Sequence, residues 1–118
     1  MFINFSNHGS GEWSKAQINE ALKYGRIVDM HFPEVPADAT SDYIKETASQ
    51  YTNLILSKAP KAVMCQGEFT LTYSIVSALK PHGITVLAAC SDRVVEEKTE
   101  NGITTKNIVF EFVQFREY

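Results

Sequence analysis

Several residue patterns are missing from this chain, and each absence narrows the field. It has only two cysteines, Cys65 and Cys90, too far apart in sequence for a CxxC metal or redox pair. Both fall in apolar runs, where a free thiol behaves as a small hydrophobe. No His, Cys, Asp or Glu cluster has ligand spacing, so neither a metal nor a cofactor is expected. Basic residues are few: 11 Lys and Arg against 14 Asp and Glu leave a formal charge of −3. That balance argues against a protein that coats long nucleic acid, because such binding rests on many cationic contacts to phosphate. It leaves room for a small anion held by a few local groups. No run approaches the roughly 20 apolar residues of a membrane span, and no signal-peptide pattern opens the sequence. The expectation is a cytoplasmic protein with no membrane partner.

What is present fits a single domain over residues 1–118, in which 44% hydrophobic residues can build a core without staples. Met1–Phe5 is a short apolar run broken by Ser6-Asn7-His8-Gly9-Ser10-Gly11, which reads as a buried strand and a glycine-containing loop. Ser14 caps a first helix with Gln17 three residues on, Trp13 is placed to staple onto Ile18, and Gly25 stops the helix. Arg26–Phe32 reads as a second strand ended by Pro33. Thr40 or Ser41 caps a helix to about Lys58, with Ile44, Ala48, Tyr51 and Ile55 at helical spacing. Ala62–Cys65 is a third strand and Gln66–Thr70 a loop, with Thr70 expected as the cap of a third helix ending near Pro81 and Gly83. Ile84–Cys90 is a fourth strand, followed by Ser91-Asp92-Arg93. Val94–Thr99 and Ile103–Phe115 flank Asn101-Gly102, a strong type I′ hairpin signal.

Strands alternating with helices predict an α/β fold with a Rossmann-like, mainly parallel sheet. The expected order is about 2-1-3-4, with flanking helices and a C-terminal β-hairpin. The last strand is apolar enough to complete the sheet edge or to pair with a second subunit. In such sheets ligands bind beyond the carboxyl ends of the strands, where the order reverses. The loops meeting there are Ser6–Gly11 and Gln66–Thr70, flanked by Ser91–Arg93.

The candidate site residues follow from that placement. Gly67 either shapes a turn or brings backbone close to a ligand. The helix start after it offers N–H groups to phosphate, with hydroxyls from Thr70 and Thr72. Ser6, Asn7, Gly9, Ser10, Gln66 and Ser91 complete the expected binding set. His8 is the best general acid or base, because imidazole titrates near neutrality. Arg93 is placed to clamp phosphate in a bidentate way, or else pairs with Asp92 or Glu68. Glu68 would repel phosphate, so it reads as a base, a ribose-hydroxyl acceptor or a partner of Arg93. His31, near the end of the second strand, and Lys15 are weaker candidates. His82 reads as solvated at the opposite end, and Arg116 as structural or interfacial.

The run Gln66-Gly67-Glu68-Phe69-Thr70-Leu71-Thr72, with Val76 and Leu79 and then Gly83 to Glu97, resembles small stand-alone Rossmann-like proteins found beside type III CRISPR systems. The opening Asn4-Phe5-Ser6-Asn7-His8 and the ending Phe112–Tyr118 fit the same resemblance. It implies a CARF-like ring nuclease that binds a cyclic oligoadenylate at the two-fold axis of a homodimer. It also implies metal-independent cleavage by attack of the ribose 2′-hydroxyl, with His8, Glu68 and Arg93 as catalytic candidates. Three alternatives stand beside it: a sequestering binder of the same messenger, a nucleoside-processing transferase or glycosidase using Glu68, and a structural partner in a larger complex.

Overall fold

The computed structural model describes residues Met1–Tyr118. The strands are β1 (Phe2–Ser6), β2 (Ile27–His31), β3 (Ala62–Gln66), β4 (Thr85–Glu100) and β5 (Ile103–Glu117), and the helices are α1 (Lys15–Leu22), α2 (Ser41–Ser57) and α3 (Phe69–Leu79). They form one five-stranded sheet of order β2-β1-β3-β4-β5. Its first four strands are parallel, and β5 runs antiparallel to β4 at the edge. This is the expected mixed α/β sheet, with the expected reversal of order between β1 and β3.

Side chains alternate across a strand, so each strand feeds two cores. Ile3, Phe5, Val63, Cys65 and Val86 pack with Ile44, Ala48 and Ile55 of α2 and Leu71, Ile75 and Leu79 of α3. Phe2, Ala62, Met64 and Leu87 face the other way, against Ala21 of α1, Trp13, Tyr24 and Phe115. The two faces are covered unequally. α2 and α3 are 17 and 11 residues long, whereas α1 has only 8 and at 1.5 Å per residue spans about 12 Å. Part of the second face therefore stays open.

The helix starts follow the side chains that cap them. Ser14 Oγ accepts from Gln17 N–H at 3.3 Å and Thr40 Oγ1 from Tyr43 N–H at 3.1 Å, as the sequence leads one to expect. At α3 the cap is Glu68, not Thr70. Its longer side chain folds back to accept from Thr70 N–H and Leu71 N–H, both at 2.9 Å.

A second correction concerns Ser91-Asp92-Arg93. These residues do not form a loop: β4 runs through them without a break, paired with β5 from Leu87–Glu117 to Glu100–Ile103. A register shift between Cys90 and Ser91 leaves Val113 as the extra residue, the signature of a bulge. The polar side chains do not end the strand because they face solvent on a ribbon that β3 no longer pairs. The turn at its tip has Asn101 at φ 52° and Gly102 at φ 76°, the positive pair that a type I′ turn requires. Thr99 and Thr104 hydroxyls meet at 3.1 Å and Lys106 pairs with Glu97 at 3.4 Å across the ribbon. No helix is long and apolar enough to cross a membrane.

Gly67 is required by packing. A Cβ there would lie 2.4 Å from the ring of Phe32, which is fully buried and packed on Phe5 at a centroid distance of 4.8 Å. Gly67→Ala is expected to cost about 1–3 kcal/mol, typical of an overpacked core. A urea midpoint equal to that of the parent protein would refute this packing account.

Candidate functional site

The open part of the second face forms a cleft of about 900 Å³ at the carboxyl ends of β1 and β3, beside Ala89 and Ser91 in the middle of β4. The sheet itself grades from apolar to polar toward it. Along this face β1 presents Phe2, then Asn4, then Ser6, and β3 presents Ala62, Met64 and Gln66, in register with β1. Ser6, Asn7, His8, Gln66, Gly67 and Ser91 all line the cleft. The three segments singled out in the sequence therefore do converge.

A polar network fixes the first loop. Asn4 is buried, yet its amide makes all three hydrogen bonds within reach. It donates to His8 C=O at 2.8 Å and to Asp29 Oδ1 at 2.9 Å, and accepts from Ser6 Oγ at 2.7 Å. Ser6 Oγ in turn accepts from His8 N–H at 3.3 Å. Asp29 also receives the Ser10 hydroxyl at 3.0 Å and the Ser10 N–H at 3.2 Å. Ser6 and Ser10 are thus engaged in holding the loop, and Gly9 and Ser10 turn toward Asp29 and not into the cleft. The side chains of Asn7 and His8 stay exposed at its rim.

The second loop is closed to an anion. Gly67 N–H donates to Thr72 Oγ1 at 3.1 Å, and Glu68 takes the free amides of α3 together with the Thr70 hydroxyl at 2.7 Å. A carboxylate at a helix N-terminus also satisfies the helix dipole. The Thr70 and Leu71 amides, and then the Thr70 hydroxyl, hold the Glu68 carboxyl below the usual carboxylate range. Glu68, Thr70 and Thr72 are absent from the cleft lining. Gln66 belongs to it: its Oε1 accepts from Ala89 N–H at 2.9 Å, which fixes the amide and leaves Nε2 without a partner in the chain.

Arg93 lies on the exposed ribbon opposite Phe110, so the two side chains share one ribbon face. It joins none of the ion pairs, which are Glu20–Lys23, Glu100–Lys98 and Glu97–Lys106. Phe110 lines the cleft, which puts Arg93 directly across from a lining residue although it is not itself part of the lining. His31 ends β2 in register with Ser6 but outside the lining, and His82 sits in a 3₁₀ turn after α3. Lys15 begins α1, and Arg116 lines a separate shallow pocket with Asp92.

The remaining walls were not foreseen as a site. They are Glu12 and Trp13 before α1, and Val109–Phe112 of β5. Phe2 and Phe115 hold the Trp13 ring at 6.1 and 6.2 Å, and Phe115 also packs on Phe112 at 4.9 Å. No Lys or Arg lines the cleft, whereas Glu12 and Glu111 do. The Cys65 thiol, close by in sequence, is pushed up to about 12 by burial and is inert as a nucleophile. Its carbonyl accepts from the Tyr118 hydroxyl at 2.6 Å, whose pKa is raised by burial first and then by the neighbouring Cys65 and Cys90. No three His, Cys, Asp or Glu side chains group as a metal site would require.

Among known proteins, the family model described as "Uncharacterized protein MJ1673 family" matches residues 1–116. No curated protein and no solved structure matches the chain.

Glu68 offers a clean test of its capping task. A carboxylate with a lowered folded-state pKa stabilises the fold above the ordinary carboxylate value, and that contribution is lost as pH falls through the lowered one. Glu68→Gln is expected to melt below the parent protein at neutral pH. The gap should close as pH falls well under ~4, where Glu68 itself becomes neutral. Thermal melts across that range check this, and a gap independent of pH would overturn it.

Proposed function

The chain belongs to the MJ1673 family, and we propose that it binds a cyclic oligoadenylate in this cleft and cleaves it without a metal. The observation that carries the reading is the convergence of Asn7, His8, Gln66 and Ser91 on one cleft at the carboxyl ends of β1 and β3. In a Rossmann-like sheet, which is how we take this strand order, that is where nucleotides are held. The resemblance of the Gln66–Glu97 run and of both ends of the chain to CRISPR-associated ring nucleases supplies the substrate class.

The chemistry asks little of the protein. The ribose 2′-oxygen attacks the adjacent phosphorus in line, the bond to the 5′-oxygen breaks, and a 2′,3′-cyclic phosphate and a 5′-hydroxyl result. One proton leaves the 2′-hydroxyl and one reaches the 5′-oxygen. His8, exposed at the rim of the cleft, is the group for either transfer. Ser91 and Asn7 offer hydrogen bonds to the phosphate, and Arg93 offers charge from across Phe110. Glu68 has no part in this scheme, because its carboxylate caps α3. The same geometry removes the support for a glycosidase reading built on Glu68. A symmetric ligand calls for a symmetric homodimer.

Purified protein incubated with cyclic tetra-adenylate in EDTA is expected to give linear products ending in a cyclic phosphate, read by chromatography. His8→Ala or Arg93→Ala is expected to slow cleavage at least about tenfold while the melting temperature holds. Intact ligand that co-elutes with the protein would replace cleavage by sequestration. Neither binding nor cleavage would overturn the reading.

A further inference from the structure

The cleft is chemically odd for a phosphate site. The Glu12 carboxylate lines it and no Lys or Arg does, while Glu111 lies between Phe110 and Phe112 on β5 and turns its side chain to the other face of the ribbon. Glu68 takes the Thr70 and Leu71 N–H groups at the start of α3, and Thr72 Oγ1 takes the Gly67 N–H just before it. Its other walls are aromatic: Trp13 is half buried, held from the core side by Phe2 and Phe115, and Phe110 and Phe112 come from β5. Gln66 Oε1 accepts from Ala89 N–H, which fixes the amide and leaves its two Nε2 donors without a partner in the chain. The cleft thus combines flat apolar surface, the Glu12 carboxylate and a fixed amide donor.

We propose that the interior of the cleft takes a nucleobase bearing an exocyclic amino group, stacked on Trp13, while the phosphate stays outside the mouth. An aromatic face suits any base. A carboxylate accepts from an amino group, and the Gln66 NH₂ donates to a ring nitrogen beside it, a pairing that a phosphate cannot make. A volume of about 900 Å³ is of the size that holds a small organic ligand. Lys15 stands between the lining residues Ser14 and Ala16, and Arg93 pairs with the lining residue Phe110. This inference rests on the nucleotide reading above and orients the ligand in it: base inward, charge outward.

Trp13 is the one tryptophan of the chain, so its fluorescence reports on the cleft directly. Titration with adenosine and with AMP is expected to quench it with similar affinity. Ribose 5-phosphate and inorganic phosphate are expected to leave it unchanged. Inosine, which carries a carbonyl in place of the amino group, is expected to bind about tenfold more weakly or less. By calorimetry, Trp13→Leu should weaken AMP binding about tenfold or more, and Trp13→Phe should restore most of it. Equal binding of adenosine and inosine, or binding of phosphate alone, would overturn the proposal, as would the absence of any adenosine binding. The two readings fail separately. If AMP binds as stated but cyclic tetra-adenylate is neither bound nor cut, the ring-nuclease reading falls. If Trp13→Leu cuts the cyclic messenger with unchanged KM, the base-inward proposal falls.

Discussion

A sheet of this kind must bury both faces, and the chain provides unequal means of doing so. α2 and α3 seal one face with a continuous core that includes Phe5, Phe32 and Ile55. The other face has a single 8-residue helix and borrows Phe115 from β5 to finish the job, through its contact with Phe2 at 5.2 Å. The cleft is the remainder of that arrangement. It lies between the first turn of α1, which supplies Ala16 and Gln17, and β5, which covers the same face from the opposite side with Val109–Phe112.

Such an opening would collapse or wander if its rim were loose. Asn4 prevents this for the first loop by meeting His8 C=O, Asp29 and Ser6 from inside the sheet. A buried amide with every partner in place rigidifies its surroundings, whereas an incomplete network would be costly. Glu68 does the same for the second loop by closing the N-terminus of α3. The amides of His8, Ser10, Gly67, Thr70 and Leu71 are thereby taken, while the side chains of Asn7 and His8 and the amino group of Gln66 remain without partners at the cleft. The cleft offers those groups and its aromatic walls, with no Lys or Arg among its lining residues.

Much of this was legible in the sequence. The alternation of strand and helix signals gave the order of the sheet, Ser14 and Thr40 marked two helix starts, and Asn101-Gly102 marked the ribbon turn. Of the expected loops Ser6–Gly11 and Gln66–Thr70, only Ser6–His8 and Gln66–Gly67 line the cleft. Three features were hidden for physical reasons. Glu68 read as a reactive carboxylate because local sequence does not reveal that a side chain has folded back onto its own helix. Ser91-Asp92-Arg93 read as a strand end because polarity resembles a turn when the strand leaves the sheet and is wet on both sides. The aromatic wall at Phe110 and Phe112 read only as an apolar edge, since the bulge that sets its register is a tertiary effect. One signal was available and went unused: Asn4 is a polar residue inside an apolar strand, and such a residue usually organises something.

The cleft draws on widely separated stretches of the chain. Ser6–Gln17 supply one wall, Val109–Phe112 another, and Tyr118 bonds back to Val86 C=O at 3.0 Å and to Cys65 C=O at 2.6 Å. A ribosome delivers these pieces in order, at about 5–20 residues per second. The parallel strands and their helices emerge before any of β5 does. The ribbon around Asn101-Gly102 is local in sequence, and hairpins of this kind close on the microsecond scale. Until β5 is made and Phe115 seats against Phe2 and Trp13, the chain has its parallel strands and helices but not the wall that completes the cleft.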